Sequence, residues 1–213
     1  MKVIPGINEL TFEKVKQKIF DAEDFGAPRV HIDVTDGKFT THQTWNTAKD
    51  LLDLRFMINN FNLKLGVHLM VENPDAVIDE WLNVGIKDVV VQFETIKNLD
   101  VIMQKCQRAG ASFVLCVAPS TSIEQLGDLK KFLDIELLAV DPGASGQGFQ
   151  ESVINRIKEL RAKGFAGKII IDGGINLETI KKVKEAGADV IVSTSYIWDS
   201  PSPARAFKQL LTV

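Results

Sequence analysis

The sequence predicts an α/β protein, and within that class a single (β/α)8 TIM barrel. Two patterns support this prediction: eight short runs rich in β-branched residues recur along the 213 residues, and amphipathic helical stretches separate them. Continuous apolar runs that alternate with helices are typical of a parallel sheet covered by helices. A doubly wound sheet usually has fewer strands and an obvious reversal point. We therefore expect one barrel domain over residues 1–213.

The predicted strands are short and rich in Val, Ile and Leu. In chain order they are Val3 to Ile7, Val30 to Val34, Lys64 to Leu69, Asp88 to Gln92, Ser112 to Val117, Glu136 to Val140, Lys168 to Ile171 and Val190 to Ser193. The predicted helices have apolar residues at helical spacing. They are Thr11 to Asp24, Pro74 to Val84, Asn98 to Ala109, Ser122 to Phe132, Glu151 to Lys163 and Leu177 to Ala186.

Composition excludes several classes of function. The chain is 45% hydrophobic and 25% charged, which suits one soluble domain with a sizeable core. A formal net charge of -3 gives no general basic field for nucleic acid. No run approaches a membrane span, and Met1–Pro5 leads into a strand rather than an apolar signal segment. We expect a cytoplasmic protein that acts on a small molecule, without a nucleic-acid or membrane partner. The sequence leaves the oligomeric state open, a homo-oligomer included.

Four ionisable residues, His31, Asp33, His68 and Asp172, stand where predicted apolar strands meet loops. Side chains two residues apart on a strand share a face, so His31 and Asp33 can both point into the mouth of a barrel. Ionisable groups are costly to bury unless they are paired or coordinated. Imidazole and carboxylate together suit Zn²⁺, Fe²⁺, Mn²⁺ or Co²⁺. The alternative is that the histidines are satisfied core residues and the aspartates cap helices.

Two neighbouring loops have the composition of a phosphate site. Gly173 and Gly174 lie between a predicted strand and a predicted helix, and Thr194 and Ser195 follow the last predicted strand. Glycines let a phosphate approach backbone N–H groups, and loops seven and eight are the customary phosphate site of this barrel class. The alternative is a tight turn that requires glycine for its own geometry.

The segment from Val140 to Phe149 is a glycine-rich loop after the sixth predicted strand, and it includes Gly143, Ala144, Ser145 and Gly146. We interpret it as a candidate lid over a phosphorylated substrate, with a plain surface loop as the alternative. We interpret His42 as a packing or rim residue rather than a ligand.

Five stretches of the chain form a recognisable series. They are His31-Ile32-Asp33-Val34-Thr35-Asp36-Gly37, His68-Leu69-Met70-Val71, Val140-Asp141-Pro142-Gly143 with Gly146-Gln147, Asp172-Gly173-Gly174, and Ala186-Gly187-Ala188-Asp189-Val190. Taken together and in this order, they resemble the ribulose-phosphate 3-epimerase family. The likeness covers nearly the whole chain. It implies a metal-dependent (β/α)8 barrel that interconverts D-ribulose 5-phosphate and D-xylulose 5-phosphate.

The resemblance also implies roles for individual residues. One divalent metal ion would be held by His31, Asp33, His68 and Asp172, with Asp33 and Asp172 also acting as the acid/base pair. Met70 would lie against the intermediate as a polarizable apolar wall. The implied substrate-binding residues are His68, Met70, Gly143, Ala144, Ser145, Gly146, Gly173, Gly174, Thr194 and Ser195.

These roles suit the chemistry of epimerisation next to a ketone. One carboxylate removes the C3 proton, the other returns a proton to the opposite face, and the species between them is an enediolate. A divalent cation would stabilise the charge that develops on the substrate oxygens.

The chain departs from the family pattern around the expected substrate pocket. Gly6 stands where a substrate-contacting serine is usual, and Thr35 and Leu138 stand where methionines are common. Lys38-Phe39-Thr40-Thr41-His42 replaces a His-Phe-Val-Pro-Asn run, and Asp141 replaces an asparagine, as in allulose 6-phosphate 3-epimerases. We therefore expect the reaction type to be more secure than the sugar.

Three alternative functions remain. The first is D-allulose 6-phosphate 3-epimerase, and the second is a sugar-phosphate binding protein without turnover. The third is a related barrel decarboxylase or aldol-type synthase. Such enzymes typically have an Asp-x-Lys-x-x-Asp pattern, and His31 to Asp36 lacks it.

Overall fold

The computed structural model describes residues 1–52, 54 and 63–213. Eight parallel strands close into a barrel in which neighbouring strands follow the order of the chain. The strands are β1 (Lys2–Ile7), β2 (Arg29–Thr35), β3 (Lys64–Met70), β4 (Asp88–Gln92), β5 (Ser112–Val117), β6 (Asp134–Leu138), β7 (Lys168–Asp172) and β8 (Val190–Ser193). The prediction of a (β/α)8 TIM barrel is confirmed.

Each predicted strand corresponds to an observed one, and β6 differs most in its bounds. The prediction placed this strand at Glu136 to Val140, whereas it spans Asp134–Leu138. The backbone N–H of Ala139 donates to the carbonyl of Asp172 at 2.7 Å, and the carbonyl of Ala139 accepts from the N–H of Gln150 at 2.7 Å. The chain therefore turns into the following loop one residue after Leu138.

The helices that the structure describes are α1 (Phe12–Asp24), α2 (Pro74–Asn83), α3 (Leu99–Arg108), α4 (Ser152–Ala162), α5 (Thr179–Ala186), α6 (Ser195–Trp198) and α7 (Pro203–Leu211). The predicted helix from Ser122 to Phe132 is wrong, because two short 3₁₀ turns, Ile123–Leu126 and Leu129–Lys131, occupy this segment. Gly127 lies between them at φ 68° and ψ -128°, outside helical geometry. The Asp128 side chain then caps the second turn by accepting from the N–H of Lys130.

The described chain comprises two compact units. The first, here the β2–β4 unit, spans Gly6–Phe113, and the second, here the β6–β8 unit, comprises Met1–Pro5 and Val114–Val213. That residues 1–213 form one domain stays a prediction. None of the helices described is long and apolar enough to cross a membrane.

The β2–β4 unit has an apolar interior formed by its strands and the inner faces of α1 and α2. On α1, Val15, Ile19 and Ala22 recur every three or four residues, and all three are buried. This spacing gives the helix one apolar stripe toward the sheet. On α2 the corresponding buried residues are Ile78 and Trp81.

The β6–β8 unit is tied together at the amino ends of its strands by one guanidinium group. Arg161, near the end of α4, donates to the carbonyls of Phe165, Gly167 and Gly187 at 2.8 to 3.1 Å. It also pairs with the carboxylate of Asp189 at 2.6 Å. These bonds satisfy carbonyls of the loops that precede β7 and β8.

Candidate active site and metal centre

Strands β2 and β3 bring three of the predicted ligands together. In the parallel register His31 lies opposite Gly66, and Asp33 lies opposite His68. His31 and Asp33 are two residues apart and therefore share a face of the sheet. All three are buried, with relative exposures of 4% for His31, 8% for Asp33 and 0% for His68.

The Asp33 carboxylate faces both imidazoles through one oxygen. Its Oδ1 lies 3.4 Å from Nε2 of His31 and 3.7 Å from Nδ1 of His68. This buried oxygen accepts no hydrogen bond. Burial would raise the pKa of the Asp33 carboxyl, but the two imidazoles outweigh burial and hold that pKa well below its usual range. The carboxyl is therefore ionised at neutral pH, which suits either a metal ligand or a general base.

A hydrogen-bond chain from exposed Glu94 through buried Gln92 orients the His68 ring. Gln92, at the end of β4, is fully buried, and its Oε1 lies 3.0 Å from Nε2 of His68. Its Nε2 donates to the carboxylate of Glu94 at 2.6 Å, so the Gln92 oxygen is the atom that faces His68. An amide oxygen can only accept, so His68 must be protonated at Nε2. Nδ1 faces Asp33: in the charged ring it carries a proton beside the carboxylate, and in the neutral ring it carries the lone pair that can bind a metal ion.

Among the described residues, one group of side chains could hold a metal ion. It comprises His31, His68, Glu136 and Asp172, and the ligand atoms all lie within 4.8 Å of one another. Two imidazoles and two carboxylates suit a divalent transition metal such as zinc, manganese or iron. The Asp33 oxygen beside both histidines adds a third carboxylate to this neighbourhood.

Sequence reasoning missed Glu136. The prediction paired the two histidines with Asp33 and Asp172, whereas the four-residue group contains Glu136 and not Asp33. Glu136 has 0% relative exposure and lies in the middle of β6. A glutamate inside an otherwise apolar strand is the signal that could have found it, because carboxylates are rarely buried without a partner.

The predicted phosphate glycines are needed for the path of the backbone. Gly173 and Gly174 both have positive φ, at 104° and 63°. A Cβ on Gly173 would lie 2.5 Å from Val140, and one on Gly174 would lie 2.7 Å from the Cα of Phe149. The turn after β7 therefore touches the loop after β6 so closely that only glycine fits, as the tight-turn alternative required.

Polar residues of the neighbouring segments surround this turn within the β6–β8 unit. Asn176 begins the approach to α5, and its Oδ1 accepts from the N–H groups of Glu178 and Thr179 at 2.8 and 3.0 Å. Ser193 donates to the carbonyl of Ile175 at 3.1 Å, which ties the end of β8 to the turn. Thr194 and Ser195 follow β8 at the start of α6 and are part-exposed.

The loop after β6 is held by internal hydrogen bonds. The Gln147 amide donates to the carbonyls of Asp141 and Ala144 at 2.8 and 2.7 Å. Within the loop Gly143 is buried, whereas Ala144, Ser145 and Gly146 are exposed. Its exposed backbone is open to a ligand, and its role as a lid stays a prediction.

Comparison with known proteins identifies the family. Residues 2–198 match the model of the ribulose-phosphate 3 epimerase family. The chain belongs to the ribulose-phosphate 3-epimerase family. It is 32% identical to ribulose-phosphate 3-epimerase of Bacillus subtilis over 216 aligned residues, 99% of this chain and 98% of that protein. It is 30% identical to the enzyme of the same name from Chlamydia trachomatis, over 98% of this chain and 91% of that protein.

Two solved structures with the same fold have low sequence identity to this epimerase-family chain. A 3-hexulose-6-phosphate synthase has 16% identity and a TM-score of 0.69, covering 100% of this chain and 99% of that one. Orotidine 5'-phosphate decarboxylase from Pyrococcus horikoshii has 13% identity and a TM-score of 0.66, covering 98% and 96%. These likenesses show the barrel alone. The family match confirms the prediction of an epimerase, an isomerase acting on carbohydrates.

The hydrogen bond from His68 to Gln92 leads to a first prediction. Replacing Gln92 by leucine keeps the side-chain volume and removes the acceptor, so His68 can adopt the tautomer protonated at Nδ1. We expect the affinity for Mn²⁺ to fall roughly 10- to 100-fold. Isothermal titration of the purified variant with Mn²⁺ measures it. The matched control is Gln104→Leu, on the exposed part of α3. Unchanged affinity for Mn²⁺ in Gln92→Leu would show that the hydrogen bond to Gln92 does not determine the tautomer of the His68 ring.

The close approach at Gly174 makes a second prediction. In Gly174→Ala the added Cβ meets the Phe149 backbone at a positive φ, and we expect a loss of about 2 kcal/mol in unfolding free energy. Gly148→Ala is the matched control, because no atom lies within 4 Å of its Cβ position and its φ is not positive. Chemical denaturation of both variants measures the difference. Equal stability would mean that the turn after β7 relaxes freely.

Proposed function

We propose that this protein epimerises C3 of a ketose phosphate, with D-ribulose 5-phosphate and D-xylulose 5-phosphate as the first candidate pair. The observation that supports this most is Asp33, a buried, ionised carboxylate between two histidines at the strand ends of an epimerase-family barrel. A general base must be ionised at the working pH and within reach of the proton it removes. The lowered pKa of Asp33 meets the first condition.

In this proposal Asp33 and Asp172 move the protons. One carboxylate takes the C3 proton and becomes a carboxylic acid, and the electron pair of the C–H bond passes into the enediolate. The other residue, which starts as the acid, gives its proton to the opposite face of C3 and becomes the carboxylate. The two side chains end with exchanged protonation states, so the reverse reaction starts from that point.

The cation would be held by His31, His68 and Asp172, with carboxylate oxygens from Asp33, Glu136 or both completing the set. Bound there, a divalent ion would supply positive charge next to the substrate oxygens and lower the cost of removing the C3 proton. The protein contributes the dry surroundings that strengthen this attraction, because His68 and Glu136 are fully buried. Met70, 3% exposed at the end of β3, would form an apolar wall.

For the phosphate we propose the turn after β7 and the loops beside it. Gly173 and Gly174 have no side chains to block their N–H groups, and Thr194 and Ser195 add hydroxyls. Exposed Ala144, Ser145 and Gly146 would close over the same group. Backbone N–H groups are the usual donors to sugar phosphates at this end of a barrel. We also place the enzyme in the cytoplasm, which stays a prediction.

A second candidate is D-allulose 6-phosphate, and Asp141 is the observation that favours it. This residue replaces the asparagine common in ribulose-phosphate epimerases. Its Oδ1 accepts from the Gln150 amide at 3.1 Å, so the carboxylate is fixed within the loop after β6. A longer sugar would place its extra hydroxyl against different loop residues while using the same proton transfer.

Isotope exchange tests the proposed function. The protein with Mn²⁺ is incubated in heavy water with a small panel of pentulose and hexulose phosphates, and mass spectrometry and NMR follow deuterium at C3. We expect deuterium at C3 of D-ribulose 5-phosphate together with its epimer. Exchange with D-allulose 6-phosphate alone would favour the second candidate. Exchange with no member of the panel would contradict the epimerase proposal and favour a binding protein.

Asp172→Asn tests the two-carboxylate mechanism in the same assay. We expect the epimerisation rate to fall at least about 100-fold, because one of the two proton carriers is lost. The matched control is Asp24→Asn, an exposed carboxylate at the end of α1. Variants are compared at equal metal occupancy. Parental epimerisation by Asp172→Asn would exclude it as a proton carrier.

A further inference from the structure

A polar pair outside the predicted ligand set contacts Asp33. Asn8 follows β1 directly, and its Nδ2 donates to Oδ2 of Asp33 at 2.8 Å. The Oδ1 of the same amide lies 3.0 Å from Nε2 of His42. An amide oxygen only accepts, so His42 must donate from Nε2. The opposite amide orientation would turn the Asn8 oxygen toward a carboxylate, which is unfavourable. The Asp33 carboxylate thus requires the orientation in which Asn8 donates, and His42, by donating to the Asn8 oxygen, holds the amide in it.

The loop that presents His42 is held at both ends. At its start the Asp36 carboxylate accepts from three backbone N–H groups, and they belong to Lys38, Phe39 and Glu72. These bonds outweigh the effect of burial and lower the pKa of Asp36. At its end, buried Thr44 accepts from the N–H of Thr35 at 2.9 Å and donates to the carbonyl of Asp33 at 2.8 Å. The loop therefore holds His42 at a defined distance from Asn8 and ties it to the strand that contains Asp33.

The two oxygens of Asp33 have different surroundings. Oδ1 faces His31 and His68, and Oδ2 accepts from Asn8. A carboxylate with a partner on only one oxygen can rotate about its Cβ–Cγ bond. In Asp33 both oxygens have partners, because Oδ1 lies near two imidazoles and Oδ2 accepts a hydrogen bond from Asn8. Proton transfer at carbon requires the carboxylate within a few tenths of an ångström of its productive position.

We propose that Asn8 and His42 form a positioning pair, in which His42 orients the Asn8 amide and Asn8 fixes the rotation of the Asp33 carboxylate for proton transfer. The inference rests on the function proposed above. Neither residue needs to touch the substrate. The pair therefore acts on the chemical step and not on substrate binding, and its effect falls on kcat rather than KM.

Steady-state kinetics of four variants tests the pair. We expect Asn8→Leu to lower kcat about 10- to 100-fold with KM within about twofold of the parent. His42→Leu should lower kcat by a smaller factor, and His42→Gln, which keeps a donor of similar reach, should restore it. The double variant Asn8→Leu/His42→Leu should be no slower than Asn8→Leu, because His42 acts through Asn8.

Three kinetic results would overturn the proposal: additive losses in the double variant, equal defects in His42→Gln and His42→Leu, or a rise in KM at unchanged kcat. His42 is part-exposed, so its two variants decide the matter if Asn8→Leu does not fold. Nitrogen-15 NMR of the parent gives a readout that needs no turnover. Protonation of His42 at Nε2, with a signal that shifts in Asn8→Leu, supports the pair even if no ketose phosphate reacts. A ring protonated at Nδ1 alone refutes it.

Discussion

The structure of the site depends on one buried contact, that of the Asp33 carboxylate with the imidazoles of His31 and His68. An isolated carboxylate in an apolar barrel would be protonated or expelled, because burial penalises its charge. The parallel register of β2 and β3 prevents this by placing His68 directly opposite Asp33 and His31 two residues before it on the same face. Oδ1 of Asp33 then faces two ring nitrogens without a hydrogen bond. Three buried donor atoms in this arrangement have the composition of a cation site.

His68 and Asp33 each have a polar partner behind them. Gln92, bonded to Glu94, faces the His68 ring from the end of β4, and Asn8, bonded to His42, donates to the second oxygen of Asp33. Such partners turn a set of suitable residues into a fixed geometry, since ligands that rotate freely bind metal and move protons poorly.

Much of the barrel could be predicted from the sequence, because buried parallel strands are continuous apolar runs. Three of the eight strands, β4, β5 and β8, have the predicted bounds. The wrong helix at Ser122 to Phe132 contains Gly127 and Asp128, which end one 3₁₀ turn and cap the next. His31, Asp33 and His68 could be found because each interrupts an apolar run. Glu136 was missed because the strand was predicted to begin at this residue, whereas β6 begins at Asp134 and has Glu136 in its middle. Asn8, Gln92 and His42 could not be assigned, since their roles depend on contacts across loops that no local pattern encodes.

The central claim, that these strand ends bind a divalent cation between the histidines and carboxylates, is tested most directly by anomalous diffraction. Crystals of the protein purified with Mn²⁺ and measured on both sides of the manganese absorption edge should show one strong peak among His31, His68 and Asp172. The distances to the histidine nitrogens and carboxylate oxygens should lie at about 2.0–2.3 Å, typical of first-row metal ligands. Refinement would also show whether Asp33, Glu136 or both complete the set. Crystals with Mn²⁺ at other sites and none among these residues would contradict the account.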